Sequence, residues 1–188
     1  MGGEESFPQR NWGIWILLAG LVIAGAVWAY LNYFPKTDPV HLWDQRYEQA
    51  VAMSIYHNGS KKTLTDRADM DELWNAMKAV RVYNERTVYA KQEREMEIPQ
   101  GAELFTVSMY IPWSEEGINL ETGEGVFEDR FGYVQEENAK GWYCDAGPAT
   151  WHTAVNVDLQ AVWDSLNQEA TPASESELKY IRVSLGLE

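Results

Sequence analysis

The chain has one cysteine, three histidines and few basic residues, and each shortage removes a class of function. With Cys144 standing by itself, no intramolecular disulfide and no thiolate zinc cluster can form, so stability rests on an ordinary core. Cys144 lies in Gly141-Trp142-Tyr143-Cys144, a strand-forming run, where a lone cysteine reads as a small buried hydrophobe. There are 29 acidic residues against 15 basic ones, a net charge of −14. Setting aside Glu4, Glu5 and Arg10 at the start leaves 27 against 14, so the rest of the chain carries −13. Such a surface is repelled by phosphate backbones and anionic headgroups, which removes nucleic acid as a partner. No Gly-rich phosphate loop and no internal repeat are present.

Charge is missing altogether from Trp12 to Phe34, a run of 23 residues. At 1.5 Å per residue a helix of this length reaches roughly 34 Å, against a hydrocarbon core of about 30 Å. Trp12 and Trp15 mark one end and Trp28, Tyr30, Tyr33 and Phe34 the other, the amphipathic rings that settle at headgroup depth. A membrane contact through Trp12–Phe34 follows, as a single-span anchor. The competing reading is a cleaved signal peptide, with Arg10 as its basic region and Ala24-Gly25-Ala26 as its cleavage site. The apolar run continues through Val27 to Phe34, too long for a secretory segment, and bulky Trp28 would stand at the mature start. A first apolar segment behind a short tail acts as a signal anchor. The expected order is a cytoplasmic tail over 1–11, the transmembrane helix over 12–34, a linker or stalk over 35–49, and an extracytoplasmic domain over 50–188.

Pro35 to Pro39 ends the membrane helix, and His41 to Glu48 reads as a short helical stalk. Ala50 to His57 predicts a strand, Asn58-Gly59 a two-residue hairpin turn, and Lys61 to Leu64 the returning strand. Asn58-Gly59-Ser60 is also a glycosylation acceptor, but the turn accounts for the same residues. Thr65-Asp66 opens a helix with Asp66, Asp69, Asp71 and Glu72 near its positive end. Met70, Leu73, Trp74, Met77 and Val80 form one apolar face at helical spacing. Further strands are expected over 81–89, 104–111, 126–134, 140–144 and 151–157, with short strands bracketed by turns at 114–117 and 121–125. Asp158 caps a second helix bearing Leu159, Val162, Trp163 and Leu166. Thr171 to Glu177 reads as a linker and Tyr180 to Leu185 as a last strand. The sum is an α+β domain: an antiparallel β-sheet with two amphipathic helices, preceded by one N-terminal transmembrane helix.

The strand, Asn-Gly turn and strand running into Lys61-Lys-Thr-Leu-Thr-Asp66, followed by a helix ending Met77-Lys-Ala-Val-Arg-Val-Tyr83, resembles a known type of domain. It is similar to small bacterial extracytoplasmic domains of unknown function that follow a lipoprotein or single-span anchor. The resemblance covers Met53 to Tyr89. Such families carry no assigned catalytic residues, so it implies a location and no chemistry.

Tests for catalysis find little. No Gly-x-Ser-x-Gly surrounds a serine, and the histidines are His41, His57 and His152. His152 follows Cys144 by eight residues with Asp145 between, a spacing that matches no protease or metal pattern. Glu115, Glu116, Glu121, Glu124, Glu128 and Asp129 crowd one region and offer a glycosidase-like acid and base, which keeps an envelope hydrolase or carbohydrate-active enzyme as an alternative. Asp66 to Glu72 lacks the glycine of a calcium loop. No catalytic residue, metal or cofactor is therefore expected. What remains is aromatic: Trp113, Trp142 and Trp151 lie in or beside strands, and as a shared surface they would bind a protein or cell-envelope component. A third alternative is an accessory subunit of a membrane complex, with Gly13, Gly20 and Gly25 as small residues in the span but no Gly-x-x-x-Gly.

Overall fold

The computed structural model describes residues 12–33, 38–83, 98–113, 118–120, 122–145 and 150–187. The chain divides into two compact units, Met1–Phe34 and Pro35–Glu188. In the first, α1 (Trp12–Tyr33) is an unbroken helix with no charged residue on any side. It is long and apolar enough to cross a membrane.

The second unit is an α+β domain. Among the described residues its centre is an eight-stranded sheet in the order β3-β7-β6-β5-β4-β1-β2-β8, with every pairing antiparallel. Strands β1 (Ala52–His57) and β2 (Ser60–Leu64) form the expected hairpin. Asn58 and Gly59 both take positive φ, 46° and 74°, as a tight turn of the mirror-image type requires. Asp66 accepts the amide N–H of Ala68 and opens α3 (Arg67–Ala79), whose Met70, Leu73, Trp74 and Met77 are buried as their spacing predicts. β3 (Arg81–Val82) is short, and the rest of the strand expected over 81–89 falls mostly outside the described residues. The long pair β4 (Glu103–Pro112) and β5 (Val126–Gln135) is in register from end to end. β6 (Lys140–Asp145) and β7 (Thr150–Val155) complete that side. Asp158 caps α4 (Leu159–Ser165).

Strand alternation divides the side chains between two faces. On the first lie Met53 and Ile55 of β1, Phe105, Val107 and Met109 of β4, Phe131 and Tyr133 of β5, and Tyr143 of β6. They pack against Met70, Leu73, Trp74 and Met77 of α3 and Leu159 and Val162 of α4. Buried Lys62 donates to the carbonyl oxygens of Trp163 and Leu166 at 2.6 and 2.8 Å, satisfying the end of α4 where backbone acceptors lack helical partners.

Residues 41–48 are helical, as expected, but they lie against the domain rather than standing off it as a stalk. A 3-10 turn (His41–Trp43) and α2 (Asp44–Tyr47) fold onto the domain: Val40 and Tyr47 are buried, Trp43 meets Phe131 edge-on at 5.4 Å, and Tyr47 stacks on Trp74 at 4.5 Å. Burying Val40 and Tyr47 and half-burying Trp43 holds the segment there.

A second correction concerns the end of the chain. Thr171–Pro172 is a two-residue edge strand, β8, and Glu175–Ser184 is a helix, α5, where a linker and a strand were expected. Ser174 and Glu177 close a reciprocal capping box at its start. Ile181 and Leu185, four residues apart, are both buried on the second sheet face with Tyr56, Val134, Cys144 and Trp151. The β-branched Ile181-Arg182-Val183 favours a strand locally, but the cap and this tertiary contact decide the segment. The sheet is therefore covered by helices on both faces.

Candidate functional site

Beyond Pro112 the chain keeps the spacing of β4 for one more residue. Trp113 donates its amide N–H to the carbonyl of Gly125 at 3.1 Å, and Pro112 pairs with Val126. Alternation then puts Trp113 on the first face, on the same side as Ile111 and its partner Phe127. Ile111 is buried. Trp113 and Phe127 are 61% and 57% exposed, with ring centroids 6.4 Å apart and planes tilted by 53°. Below them the covered face begins at once: Asp129 is ion-paired with Arg46 at 2.7 Å, and Phe131 is met by Trp43. Burial raises the pKa of the Asp129 carboxyl, and the Arg46 guanidinium opposes that rise. The edge ends in a turn held by a bridge between Asn119 and Glu124, with Gly123 at φ 73° and Gly125 at φ 79°. Ile118 is also exposed, whereas Leu120 packs on Ala52, Tyr110 and Val126 of the second face.

The three tryptophans singled out by sequence do not share a surface. Trp142 pairs with Val134 and Trp151 with Cys144, so both lie on the second face, opposite Trp113. Trp151 is 5% exposed and donates its indole N–H to Leu185. Trp142 is half-buried against the same cluster. Two of the three rings fill core, because α5 covers a face that would be open without it. Phe127, which sequence reasoning treated as one more strand residue, belongs with Trp113. Its parity with Phe131 and Tyr133 was readable, but nothing in the sequence marks where the helical cover of that face stops.

The acid–base alternative fares less well. Glu128 and Asp129 are neighbours in β5 and so point to opposite faces, Glu128 to Arg130 at 2.5 Å and Asp129 to Arg46. Glu115, Glu116 and Glu121 lie outside the described residues. Cys144 and His152 are likewise on opposite faces: Cys144 pairs with Gly132 on the second, and His152 with Tyr143 on the first. Burial pushes the Cys144 thiol up to about 12, with Asp145 adding to it, far from a nucleophile's range. Among the described residues no group of three His, Cys, Asp or Glu is placed to hold a metal ion.

On the second face the interior under α5 is partly polar. Arg130, nearly fully buried, bonds Glu128 and Ser184 and lies 4.4 Å from the centroid of the Tyr180 ring. Lys61 and Glu177 pair at 2.6 Å across the gap between β2 and α5. Beside α5 an open cleft of about 370 Å³ is lined by Tyr56, Thr106, Leu104, Ala102, Ile98 and Ile181, among others. Among the described residues Glu103 is the one carboxylate lining it.

No family model matches the chain, and neither a curated protein nor a solved structure matches it.

Proposed function

We propose that this is a single-span membrane protein whose extracytoplasmic α+β domain binds a protein or a cell-envelope component without catalysing a reaction. The observation that carries the reading is the exposed Trp113–Phe127 pair. Two large rings left open side by side on an acidic domain are the composition of an interface anchor, and Trp is the residue most enriched at binding hot spots. The membrane-length helix supports the anchored part of the reading. Among the described residues, Glu128 and Asp129 point to opposite faces, as do Cys144 and His152, which favours the binding reading over a catalytic one.

The test is photo-crosslinking in intact membranes, with benzoylphenylalanine in place of Phe127 and, as a control, in place of Gln160 on α4. A discrete adduct at position 127 that is absent at 160 is the expected outcome. Identical patterns at the two sites, or none at either, would refute the binding surface.

A further inference from the structure

We propose that Asn58 is a site of self-modification, at which the folded hairpin loses ammonia and becomes an aspartate or isoaspartate turn with His57 assisting. Asn58 is the one asparagine of the chain followed by glycine. The amide nitrogen of the next residue can close a five-membered ring onto an asparagine side chain, and glycine, with no Cβ, obstructs that closure least. Nothing lies within 4 Å of the place where a Cβ on Gly59 would stand, and both residues are exposed. The hairpin ladder closes from His57 to Ser60, so the Gly59 N–H lies outside it and is available.

The leaving nitrogen is already placed. Asn58 Nδ2 donates to His57 Nε2 at 2.9 Å and to the Glu103 carboxylate at 3.4 Å. A carboxylate only accepts, which fixes the amide with its nitrogen rather than its oxygen on this side. His57 is buried, stacks on Phe105 at 4.2 Å and has Nδ1 3.4 Å from the Leu104 carbonyl oxygen, so the ring is held and Nε2 is left to accept. In the reaction Gly59 N bonds to Asn58 Cγ. Its proton passes through solvent to His57 Nε2 and on to Nδ2, and the Cγ–Nδ2 bond breaks to release ammonia. Water then opens the succinimide at either carbonyl, giving aspartate or isoaspartate with no oxidant or reductant. Aspartate adds a charge beside Glu103, and isoaspartate also lengthens the backbone by one carbon inside a two-residue turn. Gly59 accepts the Ala173 amide N–H at 2.9 Å and Ser60 pairs with Pro172, so the change reaches β8 and the start of α5.

The experiment keeps the full chain in phosphatidylcholine nanodiscs at neutral pH and body temperature and maps digests by mass spectrometry over several weeks. Isoaspartate is labelled by its methyltransferase, and released ammonia is assayed. Asn138 and Asn156 are internal controls: they share the positive φ of Asn58, at 64° and 60°, but precede Ala139 and Val157. The expected result is a gain of one mass unit and isoaspartate at position 58, matched by ammonia, with neither control converted. His57→Phe, which keeps a ring on Phe105, should slow conversion roughly tenfold, less than the ~100-fold or more of an evolved acid–base catalyst. Glu103→Gln, on a half-exposed side chain, should slow it too, because the Asn58 amide can then turn its oxygen toward the imidazole. An unconverted Asn58 in the folded chain, while the same chain in denaturant converts, overturns the proposal. So does conversion at 138 and 156 equal to that at 58. An unchanged rate in both variants, or in Glu103→Gln where His57→Phe fails to fold, overturns it as well.

Discussion

Trp151 on β7 donates its indole N–H to the carbonyl oxygen of Leu185 at 2.8 Å, one residue past the end of α5. The bond ties the last helix to the second sheet face and uses the one polar atom of a ring that is otherwise enclosed. It also accounts for Gly132 between them. A Cβ there would come within 2.8 Å of Trp151 Cη2 and 3.0 Å of both Leu185 methyl carbons.

Gly132→Ala should therefore destabilise the domain by about 1–3 kcal/mol, the usual cost of forcing a methyl group into a packed contact. Equilibrium denaturation of the full chain measures it. Unchanged stability would mean that α5 stands further from the sheet than this contact implies.

Trp74→Ala should cost about 3–5 kcal/mol. The ring is 4% exposed, stacks on Tyr47 and donates to Asp44 at 3.2 Å, so its loss loosens the 38–49 segment as well as α3. A melting temperature equal to that of the natural chain would show that the apolar face of α3 is not enclosed.

Stability should decline as pH rises above about 9. Burial raises the Cys144 thiol from 9.0 to about 12 and holds the phenols of Tyr56, Tyr133 and Tyr143 above their ordinary 10.0. The unfolded chain gives up these protons first, so between the unfolded and folded values it binds fewer protons than the native state and is favoured by rising pH. The thiol acts from about 9 toward 12, and the phenols join from about 10. Denaturation curves across this range should show Cys144→Ala with a shallower decline near pH 9–10 than the natural chain. An identical slope would remove Cys144 from the account.

The anchored reading predicts an intact amino-terminal helix and an exported domain. Mass spectrometry of the membrane-extracted chain should find Trp12 to Phe34 retained, and a start at Val27 would sink the anchor. A Ser176→Cys variant should be labelled on whole cells by a membrane-impermeant maleimide, because Ser176 is exposed and Cys144 is buried and silent. Labelling only after lysis would reverse the orientation.

Much of the fold was legible because it rests on short-range rules. The Asn58-Gly59 turn needs two positive φ angles, and those residues supply them at low cost. The face Met70-Leu73-Trp74-Met77 repeats at helical period whatever it packs against. The segments that misled were those whose local preference lost to a tertiary contact. Residues 41–48 read as a helical stalk standing off the domain until Trp43 and Tyr47 find Phe131 and Trp74. Residues 180–185 look like a strand until Ile181 and Leu185 find Trp151.

The division is sharpest at the aromatic rings. By itself the sequence determined a charge-free helix of membrane length, an antiparallel α+β domain, a strongly acidic surface and the side of its strand on which each residue falls. Those properties depend on composition and on periods of 2 and 3.6 residues, which any window of the chain displays. Whether a side is open or covered depends on where a distant helix lies. Trp151 lost its access to solvent, and Trp142 part of its own, because α5 folds back across the second face. Trp113 and Phe127 kept theirs because the cover on the first face stops short of them. That outcome belongs to contacts between residues far apart in the chain, and only the tertiary structure decides it.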